Sequence, residues 1–148
     1  MSTIRIALLG ERKVGKTSLL TLLNTGDMTN VKDYDRFYYK VEENPITIFK
    51  IVETNKADVI FLMFDLTNIL SLNFVEQFLI YSKKPVVIMG NKSDLIKYVP
   101  PNEYKEHPIY SKIEKFMKEY DNIVSFHNIS VKEFSKITKP LDNAILTK

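Results

Sequence analysis

Apolar and polar positions along this chain fall into blocks whose period switches between two and about 3.6, the spacings of strand and helix. Ile4-Arg5-Ile6-Ala7-Leu8-Leu9 is a short apolar run of strand character. Ser18 to Leu23 is apolar at helical spacing, and Asn24-Thr25-Gly26-Asp27 breaks that helix. Met28 to Asp35 is polar and irregular. Phe37 to Val41 and Ile46 to Val52 are strand-like, and the turn Glu43-Asn44-Pro45 between them predicts a hairpin. Val59 to Phe64 is continuously apolar up to Asp65, as expected of a strand buried on both faces. Leu72, Val75, Phe78 and Leu79 predict a helix within 70–82. Pro85 to Gly90 reads as a second buried strand, and Pro100-Pro101 as a loop. Ile113, Phe116, Met117 and Tyr120 share one face of a helix over 109–120. Ile123 to Phe126 is a last strand, and Glu133 to Leu146 a closing helix. The alternation predicts an α/β fold with a mostly parallel six-stranded sheet, one antiparallel edge strand and helices on both faces. No repeat, low-complexity tract or linker interrupts the chain, so residues 1–148 are expected to form a single domain.

Composition narrows the function classes. Net charge is +3, from 21 basic and 18 acidic residues, a balance that gives no reason to expect nucleic acid or an acidic membrane as partner. The absence of cysteine removes disulfides, thiolate chemistry, prenylation and palmitoylation. Residue 2 is Ser, so the myristoylation pattern is missing, and the opening strand does not read as a signal peptide. The longest apolar run is too short to span a bilayer. A soluble, cytoplasmic protein without an intrinsic membrane anchor is expected.

Between the first strand and the first helix lies Gly10-Glu11-Arg12-Lys13-Val14-Gly15-Lys16-Thr17, which reads G-x-x-x-x-G-K-T. In that context it is the phosphate-binding loop pattern of P-loop NTPases. Gly10 and Gly15 permit a tight turn, and the N–H groups of Arg12, Lys13, Val14 and Ser18 belong to the expected phosphate cradle. Lys16 is expected at the terminal phosphates and Thr17 on Mg²⁺. Ligands of such sheets bind at the carboxyl ends of the strands. Asn91-Lys92-Ser93-Asp94 and Ser130-Val131-Lys132 follow two other strands, and so fall on the same rim.

These segments resemble the small GTPases of the Ras superfamily. Asn91-Lys92-Ser93-Asp94 fits its N-K-x-D guanine motif, and Ser130-Val131-Lys132 is similar to its S-A-K segment. Ala57 to Asn68 and Val14 to Leu19 are similar to the Rab, Rho and Ras branch. The resemblance implies GTP or GDP with Mg²⁺ as ligands. It also implies a role in signalling or trafficking and a protein effector or regulator as partner. It places Lys92 along the base, lets Asn91 tie neighbouring loops, sets a backbone N–H near Val131 against the guanine carbonyl, and packs Lys132 over the sugar or base. The Asp94 carboxylate can accept from both N1–H and the exocyclic amine of guanine, a donor pair that adenine lacks, so it is the expected selector.

The departures from that family concern hydrolysis. Where it carries D-x-x-G, a catalytic glutamine and a second switch helix, this chain reads Val52-Glu53-Thr54-Asn55-Lys56-Ala57-Asp58. Glu53 replaces the aspartate, Lys56 replaces the glycine, no glutamine stands at the water-positioning place, and the second switch helix is expected to be missing. The first switch is short, with Thr29 the nearest match to its threonine. Arg12 is expected to crowd the γ-phosphate or simply to face solvent; the alternative is that it reaches over the phosphates as an arginine finger in cis. The expectation is a guanine-nucleotide-binding protein with very slow or absent hydrolysis; the alternative is a pseudo-GTPase binding module in which the nucleotide is structural. A P-loop kinase of adenylate type is disfavoured by the N-K-x-D match and by the lack of a basic lid.

Overall fold

A computed structural model of the chain describes residues 2–11, 14–25, 34–40, 43–92, 108–130 and 138–147. In chain order these form β1 (Ser2–Leu9), α1 (Lys16–Thr25), β2 (Arg36–Tyr39), β3 (Thr47–Ile51), β4 (Val59–Asp65), α2 (Leu72–Tyr81), β5 (Val86–Asn91), α3 (Pro108–Glu119), β6 (Ile123–Asn128) and α4 (Thr138–Thr147). The six strands make one sheet in the order β2-β3-β1-β4-β5-β6, with only β2 antiparallel to its neighbour. The predicted hairpin is β2–β3, where Phe37 stacks on Phe49 with ring centroids 4.8 Å apart. All seven residues of β4 are buried, which is why they read as one apolar run. Among the described residues no helix is long and apolar enough to cross a membrane.

Strand pleating divides the core in two. Ile4, Ile6, Phe61, Met63 and Met89 face one side, where Leu19, Leu20 and Leu22 of α1 and Leu141 and Ala144 of α4 pack on them. Ala7, Ile60, Leu62 and Ile88 face the other, under Leu72, Val75 and Leu79 of α2 and Ile109, Ile113 and Phe116 of α3. The helices therefore lie on both faces, as the alternating pattern predicts.

The β3–β4 connection is unusually short for a parallel crossover, which ordinarily takes a dozen residues or more. Register explains how it closes. Ile6 pairs with Ile51 on one side and with Val59 on the other. β3 flanks the first half of β1 and β4 the second, so the chain only steps across β1 and does not retrace its length. One 3-10 turn, Thr54–Lys56, makes the step, with no α-helix. Val52 N–H donates to Ile6 O at 2.9 Å and Asp58 N–H to Arg5 O at 2.7 Å. Asp58 has a clear task here, because its carboxylate accepts from Arg5 N–H at 3.0 Å and pairs with the Arg5 guanidinium at 3.2 Å.

Lys84 ties into the same connection. It is half-buried, and its ammonium donates to Thr54 O at 2.7 Å and Ala57 O at 3.0 Å. Replacing it by Met leaves two carbonyls of the short connection without that donor. A loss of about 1–2 kcal/mol is expected in chemical denaturation of Lys84→Met, with nucleotide affinity unchanged. At the far edge, Tyr39 Oη donates to Asp142 Oδ1 at 2.7 Å and fastens β2 to α4. Burial, with the Asp142 hydrogen bond and charge, pushes the Tyr39 hydroxyl up to about 12.

Candidate functional site

Helices that follow neighbouring strands on opposite faces open a crevice at the carboxyl end of the sheet. Here the neighbours are β1 and β4, since α1 packs on one face and α2 on the other. Register brings the ends of β4, β5 and β6 to the same rim, with Asp65 level with Asn91 and Gly90 level with Asn128. The glycine loop leaves β1 at this point.

Two glycines and one buried amide set the shape of that loop. A Cβ on Gly10 would lie 2.5 Å from Met63 O of the adjacent strand, so only glycine passes there. Gly15 has φ +108°, and a Cβ there would overlap Asn91 Nδ2. Val14, 2% exposed, plugs the loop into the core beneath. Asn91 Nδ2 donates to Val14 O at 2.8 Å, which joins residues far apart in sequence inside the protein. The first intrahelical bond of α1 runs from Leu19 N–H to Gly15 O at 2.9 Å. The first turn of α1, Lys16 to Ser18, thus stands at the crevice, at the positive end of the helix dipole. The Lys16 ammonium bonds to Gly10 O and Glu11 O of its own loop. Burial pulls its pKa down from the ordinary lysine value. A partly desolvated cation beside a helix start, in a bend open only to glycine, suits an anion.

Asp65, which closes β4, is a further member of the site. Lys92, in the left-handed region at φ 70°, extends its ammonium to Asp65 Oδ2 at 2.7 Å. The other carboxylate oxygen accepts from Thr67 N–H at 2.8 Å and Thr67 Oγ1 at 2.6 Å. Asp65 N–H donates to the buried Ser71 hydroxyl at 2.9 Å, which fixes the turn into α2. Burial alone would raise the Asp65 carboxyl, but the bonds from Lys92 and Thr67 outweigh it and hold it below the usual range. The legible signal was an acid closing a wholly apolar strand, two residues before a threonine that completes an Asx turn.

That shift carries a sign. The unfolded carboxyl titrates near its ordinary 3.8 and the folded one lower. The contribution of Asp65 is therefore full above that value and is lost as pH falls below it. Asp65→Asn is expected to be less stable at neutral pH and to lose less on acidification from about pH 5 to pH 2, as read by urea midpoints.

The structure thus gathers Gly10, Val14, Gly15, Lys16, Asn91 and Lys92, with Thr17 and Ser18 in the first turn of α1. Ser130 is buried two residues past the end of β6, and Ile129 N–H donates to Gly90 O at 2.7 Å. Arg12, Lys13, Thr29, Asp94, Val131 and Lys132 lie outside the described residues. The short connection is anchored to β1 at Arg5 and Ile6. That is four residues before Gly10, or roughly 13 Å along the strand. The described residues hold no group of three or more His, Cys, Asp or Glu suited to a metal. With Thr17 the one expected metal ligand, a cation here would have to bring most of its own oxygen ligands, the usual habit of Mg²⁺ with a phosphate. No protein-family model matches the chain, and no curated protein does.

Proposed function

We propose that this chain is a divergent Ras-like small GTPase domain that binds GTP and GDP with Mg²⁺ and hydrolyses GTP very slowly or not at all. The observation that carries the reading is the Asn91–Val14 hydrogen bond. It couples the start of the N-K-x-D segment to the G-x-x-x-x-G-K-T loop, so the two recognition segments form one site. Lys16 is the residue that exchanges loop carbonyls for phosphate oxygens. Because its ammonium is already partly desolvated, that exchange costs less than stripping a free lysine of water. Asp65 holds the Lys92 side chain at the rim, and Asp94, two residues on, supplies the guanine-selecting carboxylate. Thr17 would hold the Mg²⁺ that accompanies the phosphates and neutralises their charge.

The same geometry favours a structural role for the nucleotide over a switching one. A switch needs contacts that differ between the two nucleotide states. The connection that replaces the second switch is hydrogen-bonded to the middle of β1 and tied down by Lys84, about 13 Å short of the loop. It offers no group to align water or sense a γ-phosphate. In a single-turnover assay the expected rate is at or below about 10⁻⁴ per second, and calorimetry should give GTP and GDP affinities within tenfold. Turnover faster than about one per minute without a partner, or a hundredfold preference for GTP, would contradict this.

A further inference from the structure

Among the described residues, no helix covers half of one sheet face, on the side of the short connection. On the side of Ala7 and Ile60, α2 and α3 pack within the same apolar cluster as β4 and β5. Over β1, β3 and β2, that side carries Thr3, Arg5, Ile48, Lys50, Arg36 and Tyr38, all exposed but the half-buried Ile48. β1 is an internal strand with parallel neighbours on both sides. Strands of that kind are ordinarily covered on both faces.

Register sorts these side chains into two rows. Arg36 is opposite Lys50, and Lys50 is opposite Arg5; Tyr38 is opposite Ile48, and Ile48 is opposite Thr3. With strands about 4.8 Å apart, three cations lie within about 10 Å. Like charges directly opposite one another destabilise a sheet. Asp58 pairs with Arg5 and Asp35 with Arg36, but Lys50, between the two arginines, has no carboxylate partner among the described residues. Alongside runs an apolar row in which Tyr38 is 60% exposed.

We infer that this face docks an acidic amphipathic helix of a partner protein, its carboxylates on the Arg36–Lys50–Arg5 row and its apolar side on Tyr38 and Ile48. The vacant strip is about 10 Å across, one helix diameter, and a helix there continues the layer that α2 and α3 begin. Charge complementarity selects an acidic occupant. The adjoining apolar row selects a protein over a nucleic acid, whose backbone needs unbroken cations and no tyrosine–isoleucine strip.

The test places a photo-crosslinking aromatic amino acid at position 38 of the full chain in cells, with the attached peptide sequenced by mass spectrometry. The expected adduct is a protein segment with carboxylates and apolar residues on separate helical faces. Lys50→Glu and Arg36→Glu should each lower its yield at least tenfold, and Lys50→Arg should keep it. Lys50→Glu is flanked by Arg36 and Arg5, so its thermal midpoint should hold or rise, and a lost adduct then reports docking rather than unfolding. No adduct, an adduct to nucleic acid, lipid or a second copy of this chain, or a yield indifferent to charge reversal would overturn the inference.

Discussion

Gly15→Ala should lower the thermal midpoint by roughly 10 °C and remove nucleotide binding together with it. Two costs add. The backbone at φ +108° belongs to a region that L-residues enter at a cost of about 1–3 kcal/mol. The new methyl group also meets Asn91 Nδ2, which is not free to swing away because it is bonded to Val14 O at 2.8 Å. Displacing it strips the buried carbonyl of its donor, at about 1–3 kcal/mol. A total near 3 kcal/mol is a large share of the about 5–15 kcal/mol that holds a typical domain together. Asn91→Ala should reproduce the second cost alone, and the double variant should lose less than the sum of the two singles. A midpoint shift under about 3 °C for Gly15→Ala would mean that the loop does not hold this bend.

Lys16→Met is the complementary case, with a large effect on ligand and a small one on stability. The methylene stem is kept, and Gly10 O and Glu11 O at the loop mouth lose a charged donor. A charge-assisted bond to phosphate contributes about 1.5–3 kcal/mol, so affinity for GDP should fall about tenfold to more than a hundredfold. The apo midpoint should move by no more than about 3 °C, because removing a partly desolvated cation offsets the lost hydrogen bonds. Calorimetric titration and thermal scans of the same preparation separate the two quantities. Equal affinity of Lys16→Met and the parent chain would contradict the assignment of Lys16.

The parts of this protein that were legible in sequence are those fixed by local pattern. The apolar runs at β4 and β5, the β2–β3 hairpin and the glycine spacing each carry their own signal within a few residues. The apolar pattern ends at Phe126, yet β6 continues to Asn128, whose Nδ2 donates to Tyr110 Oη of α3 at 2.9 Å. His127 Nε2 bonds to Ser125 Oγ at 2.9 Å and to Asn143 of α4 at 3.3 Å. What depends on register or distant partners was not legible. Arg5 and Asp58, Lys84 and Thr54, and Tyr39 and Asp142 find each other only once the sheet is assembled. The lack of a helix-length segment between β3 and β4 could be read from their spacing. Why the fold tolerates it could not, since the answer lies in β3 and β4 meeting β1 on successive halves. At the site the motif spacing pointed to the glycine loop and Asn91, whereas the Asp65–Lys92 pair came from tertiary geometry.

The central claim is that one crevice holds a guanine nucleotide through the Gly10–Lys16 loop and the segment beginning at Asn91. Its most direct test is to denature the purified chain and identify by chromatography what it releases, then to titrate the stripped protein with GDP and ADP. The account predicts released GDP or GTP in near-stoichiometric amount, rebinding of GDP at least a hundredfold tighter than ADP, and loss of that preference in Asp94→Ala. Release of adenine nucleotide, or failure of the stripped and refolded chain to bind GDP at all, would contradict it.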